Sequence, residues 1–324
     1  MKIKRILLIL ISLLLLLVVS ALVYVKFAIP NIPLKEISLT NAPDRIANGK
    51  YLANSVLVCM DCHSTRDWTR FSAPLVDGTL GKGGELFDQK MGFPGMYISK
   101  NITPFNLANW SDAEVFRAIT SGVKKDGNAI FPVMPYSYYG KMDEEDIKDV
   151  IAYLRTLEPI DYSPEESSSE FPMSLIINTI PQSSTFTKKP AKEVSVEYGK
   201  YMVNAAACVE CHTPFNGKEL EMDKAFSGGR EFQLPGGLLV SRNITPHAET
   251  GIGNWTKEDF VARFKAFDME NGYEPPAVDL SAFNTIMPWT MYASMDEIDL
   301  EAIYTYLYSL DGIENRVTPF VANK

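Results

Sequence analysis

A chain of 324 residues can hold two modest domains, and 46% hydrophobic with 22% charged residues excludes disorder as its default state. With 31 basic and 40 acidic residues the formal charge is −9, which excludes nucleic acid as a natural partner. Only four cysteines and three histidines are present, so their positions carry most of the chemical information.

The chain begins with "MKIKR" and then runs from Ile6 to Val25 without a charged side chain. About 20 apolar residues in a helix match the ~30 Å hydrocarbon core of a bilayer, which predicts a membrane anchor over residues 1–30. The alternative is a cleaved signal peptide, whose apolar region is usually about 7–15 residues; "VSA" at 19–21 is a weak cleavage site. Either reading exports the remainder. With Lys2, Lys4 and Arg5 on the cytoplasmic side, everything after Lys26 lies on the outer, periplasmic face of the cell membrane. That exported body holds 27 basic and 40 acidic residues, a formal −13, and suits a partner protein with a basic docking face.

After a linker at 31–44 the sequence repeats, with a period of about 150 residues. "GKYLANSVLVCMDCH" (49–63) answers "GKYMVNAAACVECH" (199–212), which has one residue fewer before the cysteines. "GKGGELF" (81–87) answers "AFSGGREF" (225–232), and "SKNITP" (99–104) answers "SRNITP" (241–246). "MPYSYYGKMDEEDIKDVIAYLRTL" (134–157) lies on "MPWTMYASMDEIDLEAIYTYLYSL" (287–310) without a gap. The pattern predicts one domain at 45–160, a linker at 161–192, a second domain at 193–312 and a tail at 313–324. "EPIDYSPEESSSEFPMS" (158–174) reads as exposed, whereas the apolar "LIINTI" after it is expected to pack on a domain surface.

Each copy reads as helical. Helices are predicted through 111–122 and 256–267, both with capping-type starts, and after Asp143 and Asp296, where apolar residues recur at three- and four-residue intervals. A further helix carries the cysteines, and the glycine- and proline-rich segments between are loops or short hairpins.

The cysteines stand as Cys59, Cys62 and Cys208, Cys211, each pair followed directly by a histidine, His63 or His212. Two thiols at this spacing can add to the two vinyl groups of one haem, with the adjacent imidazole beneath the iron. Two disulfides would leave both histidines unexplained. A four-cysteine zinc ribbon needs its pairs some 15–20 residues apart, far closer than here. A thioredoxin-like pair needs a strand–turn–helix setting. Copy one has no histidine beyond His63, so the remaining axial ligand there is not an imidazole. Met134 and Met287 occupy matched positions, 71 and 75 residues past those histidines, each before a proline and just upstream of the last helix. Met142 and Met295 are also matched, but each directly precedes a capping aspartate and is expected to fill the core.

This order of motifs resembles the class I cytochrome c domain, and more narrowly the multihaem cytochrome c subunits of membrane-bound alcohol and gluconate dehydrogenases. The resemblance covers 45–160 and 195–312. It implies an all-α fold of two tandem domains behind a transmembrane helix, two covalent c-type haems, and histidine/methionine iron with Met134 and Met287 as ligands. Asn101, Thr103 and Trp110, with Asn243, Thr245 and Trp255, either bond haem propionates or build turns and core. His247, whose counterpart is Phe105, reads as an exposed loop residue. The function implied is electron transfer between a dehydrogenase and a respiratory acceptor rather than catalysis. The alternative is a dihaem redox enzyme, peroxidase-like or thiosulfate-oxidising; the first uses an additional histidine, of which copy one has none to spare, and the second an extra cysteine ligand that this chain lacks.

Overall fold

The computed structural model describes residues 2–27 and 29–323; Met1, Ala28 and Lys324, which fall in the regions read as anchor and tail, lie outside the described residues. The first helix, α1 (Lys2–Phe27), leaves its apolar side chains bare: Leu7 is 58% and Leu16 63% exposed. It is the one described helix long and apolar enough to cross a membrane.

The first copy folds as α2 (Pro43–Tyr51), α3 (Cys59–His63), strands β1 (Leu86–Phe87) and β2 (Gly95–Ile98), then α4 (Pro104–Leu107), α5 (Asp112–Ser121), α6 (Tyr136–Tyr139) and α7 (Glu144–Leu154). Between the copies lie β3 (Ser168–Ser169) and α8 (Met173–Ile176). The second copy follows with α9 (Val196–Ala205), α10 (Cys208–His212), β4 (Glu231–Leu234), β5 (Gly237–Val240), α11 (Lys257–Lys265), α12 (Trp289–Tyr292), α13 (Glu297–Tyr308) and β6 (Phe320–Ala322).

The expectation of an all-α fold is corrected. The chain is only 39% helical and carries two three-stranded antiparallel sheets, β1-β2-β3 and β4-β5-β6. Each hairpin gains its third strand from outside the matched blocks. Gly95 pairs with Ser169 in the segment read as linker, and Gly237 with Ala322 in the segment read as tail. Those strands satisfy backbone groups that the hairpin edges would otherwise leave unpaired.

The helix ends follow local chemistry. Ser111 and Glu114 form a reciprocal capping box at α5, as Thr256 and Asp259 do at α11. The Asp143 carboxylate accepts the Glu145 N–H at the start of α7. The stripe Ile147, Val150, Ile151 and Leu154 is fully buried, and so are Met142 and Met295. In each copy the opening and closing helices cross at a glycine. A Cβ on Gly49 would lie 1.9 Å from the Asp149 carbonyl, and one on Gly199 would lie 1.9 Å from that of Ala302.

Copy one's extra residue before its cysteines is absorbed as a π turn, Leu52–Val56, closed by the Leu57 N–H on the Leu52 carbonyl at 2.8 Å. The wider turn lets α2 keep its register against α7 while α3 stays in place.

The two copies pack reciprocally. The Tyr51 hydroxyl bonds the Asp299 carboxylate and accepts the Asp296 N–H. The Tyr201 hydroxyl bonds Asp146 at 2.6 Å and accepts the Asp143 N–H at 3.0 Å. These residues occupy matched positions in the repeat, so the joint is a pseudo-two-fold in which each copy gives what it receives. Asp146 and Asp299 are 2% and 0% exposed.

Candidate functional site

Two constellations of the same design sit on either side of this joint. Each begins with a residue in the left-handed region, Val58 at φ 46° and Ala207 at φ 50°, a conformation that costs a residue with a side chain about 1–2 kcal/mol. It breaks the incoming helix and starts a five-residue helix, Cys59–His63 or Cys208–His212, in a new direction. The single cysteine-bearing helix expected in each copy is therefore two pieces joined by a strained residue.

Each histidine is aimed by its other ring nitrogen. His63 Nδ1 donates to the Lys100 carbonyl at 2.7 Å, and His212 Nδ1 to the Arg242 carbonyl at 2.7 Å. A carbonyl can only accept, so the proton is on Nδ1 and the Nε2 lone pair is left for a ligand. Burial lowers the pKa of both rings, which keeps that lone pair unprotonated at neutral pH.

The Asn-Ile-Thr-Pro loops supply those carbonyls. The Asn101 amide donates to the Ile160 and Tyr162 carbonyls, both at 2.8 Å, while its oxygen accepts the Thr103 N–H and hydroxyl. Asn243 repeats the pattern with the Ile313 carbonyl and Thr245. Both asparagines therefore spend their polar atoms on the turn. Gly83 and Gly228 press on the same loops at φ +75°, their N–H groups bonding the His63 and His212 carbonyls at 2.8 Å. A Cβ at either would lie 2.5 Å from the carbonyl carbon of Lys100 or Arg242. His247 is not an exposed loop residue: it is half-buried, and its Nδ1 accepts from the Thr250 N–H and pairs with the Thr250 hydroxyl.

Met134 and Met287 are half-buried in the segments leading into α6 and α12. Those helices are tied to the cysteine motifs. Tyr139 donates to the Leu57 carbonyl and Tyr292 to the Ala206 carbonyl, both at 3.0 Å, two residues before the first cysteine of each pair.

The second methionine segment is also held by the first copy. The Ser72 hydroxyl donates to the Met287 carbonyl at 2.6 Å and accepts the Trp289 N–H at 3.1 Å, while the Ser72 N–H bonds the Asn284 side chain at 2.9 Å. Arg66 fixes the loop that carries Ser72, reaching the Ser72 and Ala73 carbonyls and the Asp61 carboxylate inside the first cysteine motif. Nothing in the repeat signals this contact, because the matching loop of copy two, closed by the Phe215–Leu220 bridge as this one is by Arg66–Leu75, is four residues shorter.

All four cysteines are free thiols. Burial pushes Cys59 and Cys208 up to about 12 and raises Cys62 too, so none of these three is a reactive thiolate at neutral pH. The Tyr138 hydroxyl of the first copy donates to the Glu210 carboxylate inside the second motif at 2.8 Å, which brings the first copy against that motif. The thiols sit among protein atoms, yet three are half-buried and Cys211 is exposed, as expected for groups lining a crevice. The Tyr136 hydroxyl, two residues past Met134, is buried without a protein partner, as is the Ser227 hydroxyl next to Gly228. Soft sulfur donors, a presented imidazole and unpartnered buried hydroxyls fit a haem with polar arms.

Comparison with known proteins agrees. The chain is 27% identical over 237 residues to the cytochrome c subunit of a quinone-linked alcohol dehydrogenase from Gluconacetobacter polyoxogenes, covering 68% of this chain and 49% of that one. It is 28% identical over 284 residues to the fructose dehydrogenase cytochrome subunit of Gluconobacter japonicus, covering 82% and 52%. Both of these relatives are cytochrome subunits of dehydrogenases. A dihaem c-type cytochrome of Cereibacter sphaeroides is 26% identical over 266 residues, covering 79% of this chain and 83% of that one. The chain spans about half the length of the first two relatives. No protein-family model matches it.

Proposed function

We propose that the chain is a dihaem c-type cytochrome, held to the membrane by α1, that passes electrons between a dehydrogenase and a respiratory acceptor. The observation that carries this reading is the doubled constellation of two free thiols beside an imidazole whose Nδ1 proton is engaged and whose Nε2 is presented. Cys59 and Cys62 would hold one haem with His63, and Cys208 and Cys211 the other with His212; Met134 and Met287 would close the opposite faces. Bound there, haem iron supplies one-electron redox chemistry. The protein's part is to fix both imidazoles by rigid backbone carbonyls, so that little reorganises when charge changes, and to keep water from the iron. A dehydrogenase partner is supported by the names of the relatives, which are subunits of such enzymes. The same relationship favours an electron carrier over the dihaem enzyme reading.

The test is a count. Exported protein is expected to keep its colour through acid denaturation and to yield two c-type haems per chain. Met134→Ala and Met287→Ala are each expected to remove half of the weak methionine-to-iron band near the red end of the oxidised spectrum. Colourless protein, or pigment released by acid, would overturn the assignment.

A further inference from the structure

The segment 171–180, "FPMSLIINTI", falls between an acidic stretch ending at Glu170 and the polar run that leads to Lys188, and it contains no charged residue. The expected packing on a domain surface holds in part: α8 meets β3, and Ile177 and Ile180 are half-buried. Phe171 is 80% exposed, Leu175 40% and Ile176 45%, which leaves part of an apolar face open among the described residues. Its short helix α8 and the following turn, Ile177–Thr179, also lie beside α1.

The contact fixes a depth. The Asn178 amide donates to the carbonyls of Val25 and Lys26, both at 3.3 Å. A helix ends with carbonyls that lack intrahelical partners, and these are expensive to leave unpaired near hydrocarbon. Val25 closes the uncharged run that begins at Ile6, so its carbonyl lies where the helix leaves the hydrocarbon. A side chain bonded to it shares that level. Leu175 and Ile176 stand three and two residues before Asn178, and the four-residue helix that carries them is only about 6 Å long, so both stay near that level; Phe171 lies two residues beyond the helix. An exposed aromatic with two aliphatic neighbours at this height matches the boundary between lipid headgroups and acyl chains.

We infer that residues 171–180 form a second membrane contact, a short apolar segment lying in the outer leaflet where α1 emerges. The occupant of the bare face is lipid. The inference rests on α1 being a retained anchor, and it gives the body two points of attachment, which restricts its tilt as one flexible stalk would not.

The test uses the full haem-loaded chain in phosphatidylcholine vesicles, with a nitroxide attached to Phe171→Cys, Leu175→Cys or, as a control on the exposed loop of the second copy, Lys218→Cys. The native cysteines are consumed by haem attachment, so the unaltered chain is expected to take up no label; labelling there would count against the haem assignment itself. Apolar oxygen and a water-soluble nickel chelate then compete for collisions with the nitroxide. The expected result is an oxygen-to-nickel collision ratio severalfold higher at 171 and 175 than at 218. Equal, nickel-dominated ratios at all three sites in vesicle-bound protein overturn the inference while leaving the anchor intact. Low collision with both reagents at 171 and 175 also overturns it, because a protein surface then covers the segment. If the unaltered chain does not stay with the vesicles, the anchor reading fails and the inference falls with it.

Discussion

A serine 215 residues away holds the Met287 carbonyl, and that single hydroxyl makes the second site depend on the first copy. In Ser72→Ala the Met287 carbonyl loses its donor and the Trp289 N–H loses its acceptor inside a buried contact, a loss of about 1–3 kcal/mol. The expected outcome is a weakened methionine-to-iron band and a lowered potential for the second haem alone, read by redox titration, with the first haem unchanged. Gly83→Ala tests the other end of a site. The substitution forces φ +75° on a residue with a side chain and drives its Cβ into the Lys100 carbonyl that orients His63. Protein carrying one haem in place of two is the expected result, with Gly228→Ala the mirror case. The cysteines, histidines and matched glycines are all visible as repeated letters. Ser72 is not, since a lone serine in a loop that differs in length between the copies carries no pattern until the fold closes it onto Met287.

Among the elements, the helices were the most legible. Ser111, Asp143 and Thr256 are capping residues next to apolar stripes, and all three cap helices where that chemistry places them. The strands were legible only as the short hairpins expected in the glycine-rich segments, without their bounds or outer partners. They are two to four residues long, too short for alternation to register, and their outer partners lie at Ser168–Ser169 and Phe320–Ala322 in segments with linker composition. The pairing of α2 with α7 carries a pH dependence. Hydrogen bonds from Arg45, and then from Lys148, hold the Glu145 carboxyl below its ordinary value. A depressed folded value means stability that is fully present above the ordinary glutamate pKa of about 4.3 and lost as pH falls through the depressed value. Glu145→Gln is therefore expected to be less stable than the parent at pH 7, with the difference vanishing in acid; denaturant unfolding at both pH values measures it. The effect should be small, because Glu145 is half exposed.

For the molecule as a whole, the duplication was plain in the sequence while the packing of its halves was not. Tyr51 and Asp299 are 248 positions apart, and no local periodicity reports such a pairing. The charge outside residues 1–30, a formal −13, has a kinetic consequence. Electron exchange with a basic partner is expected to slow as salt is raised through the range where the screening length falls to about 10 Å. Stopped-flow rates indifferent to ionic strength would remove the acidic docking face from the account.

The crossed tyrosine–aspartate bonds have a corollary for ancestry. Since each half bears both the hydroxyl and the carboxylate of the joint, either one, made as a separate polypeptide, should recognise a second copy of itself through that surface. Under the dihaem reading proposed above, a half-length chain would then bring its single site beside a second one with no covalent link between them.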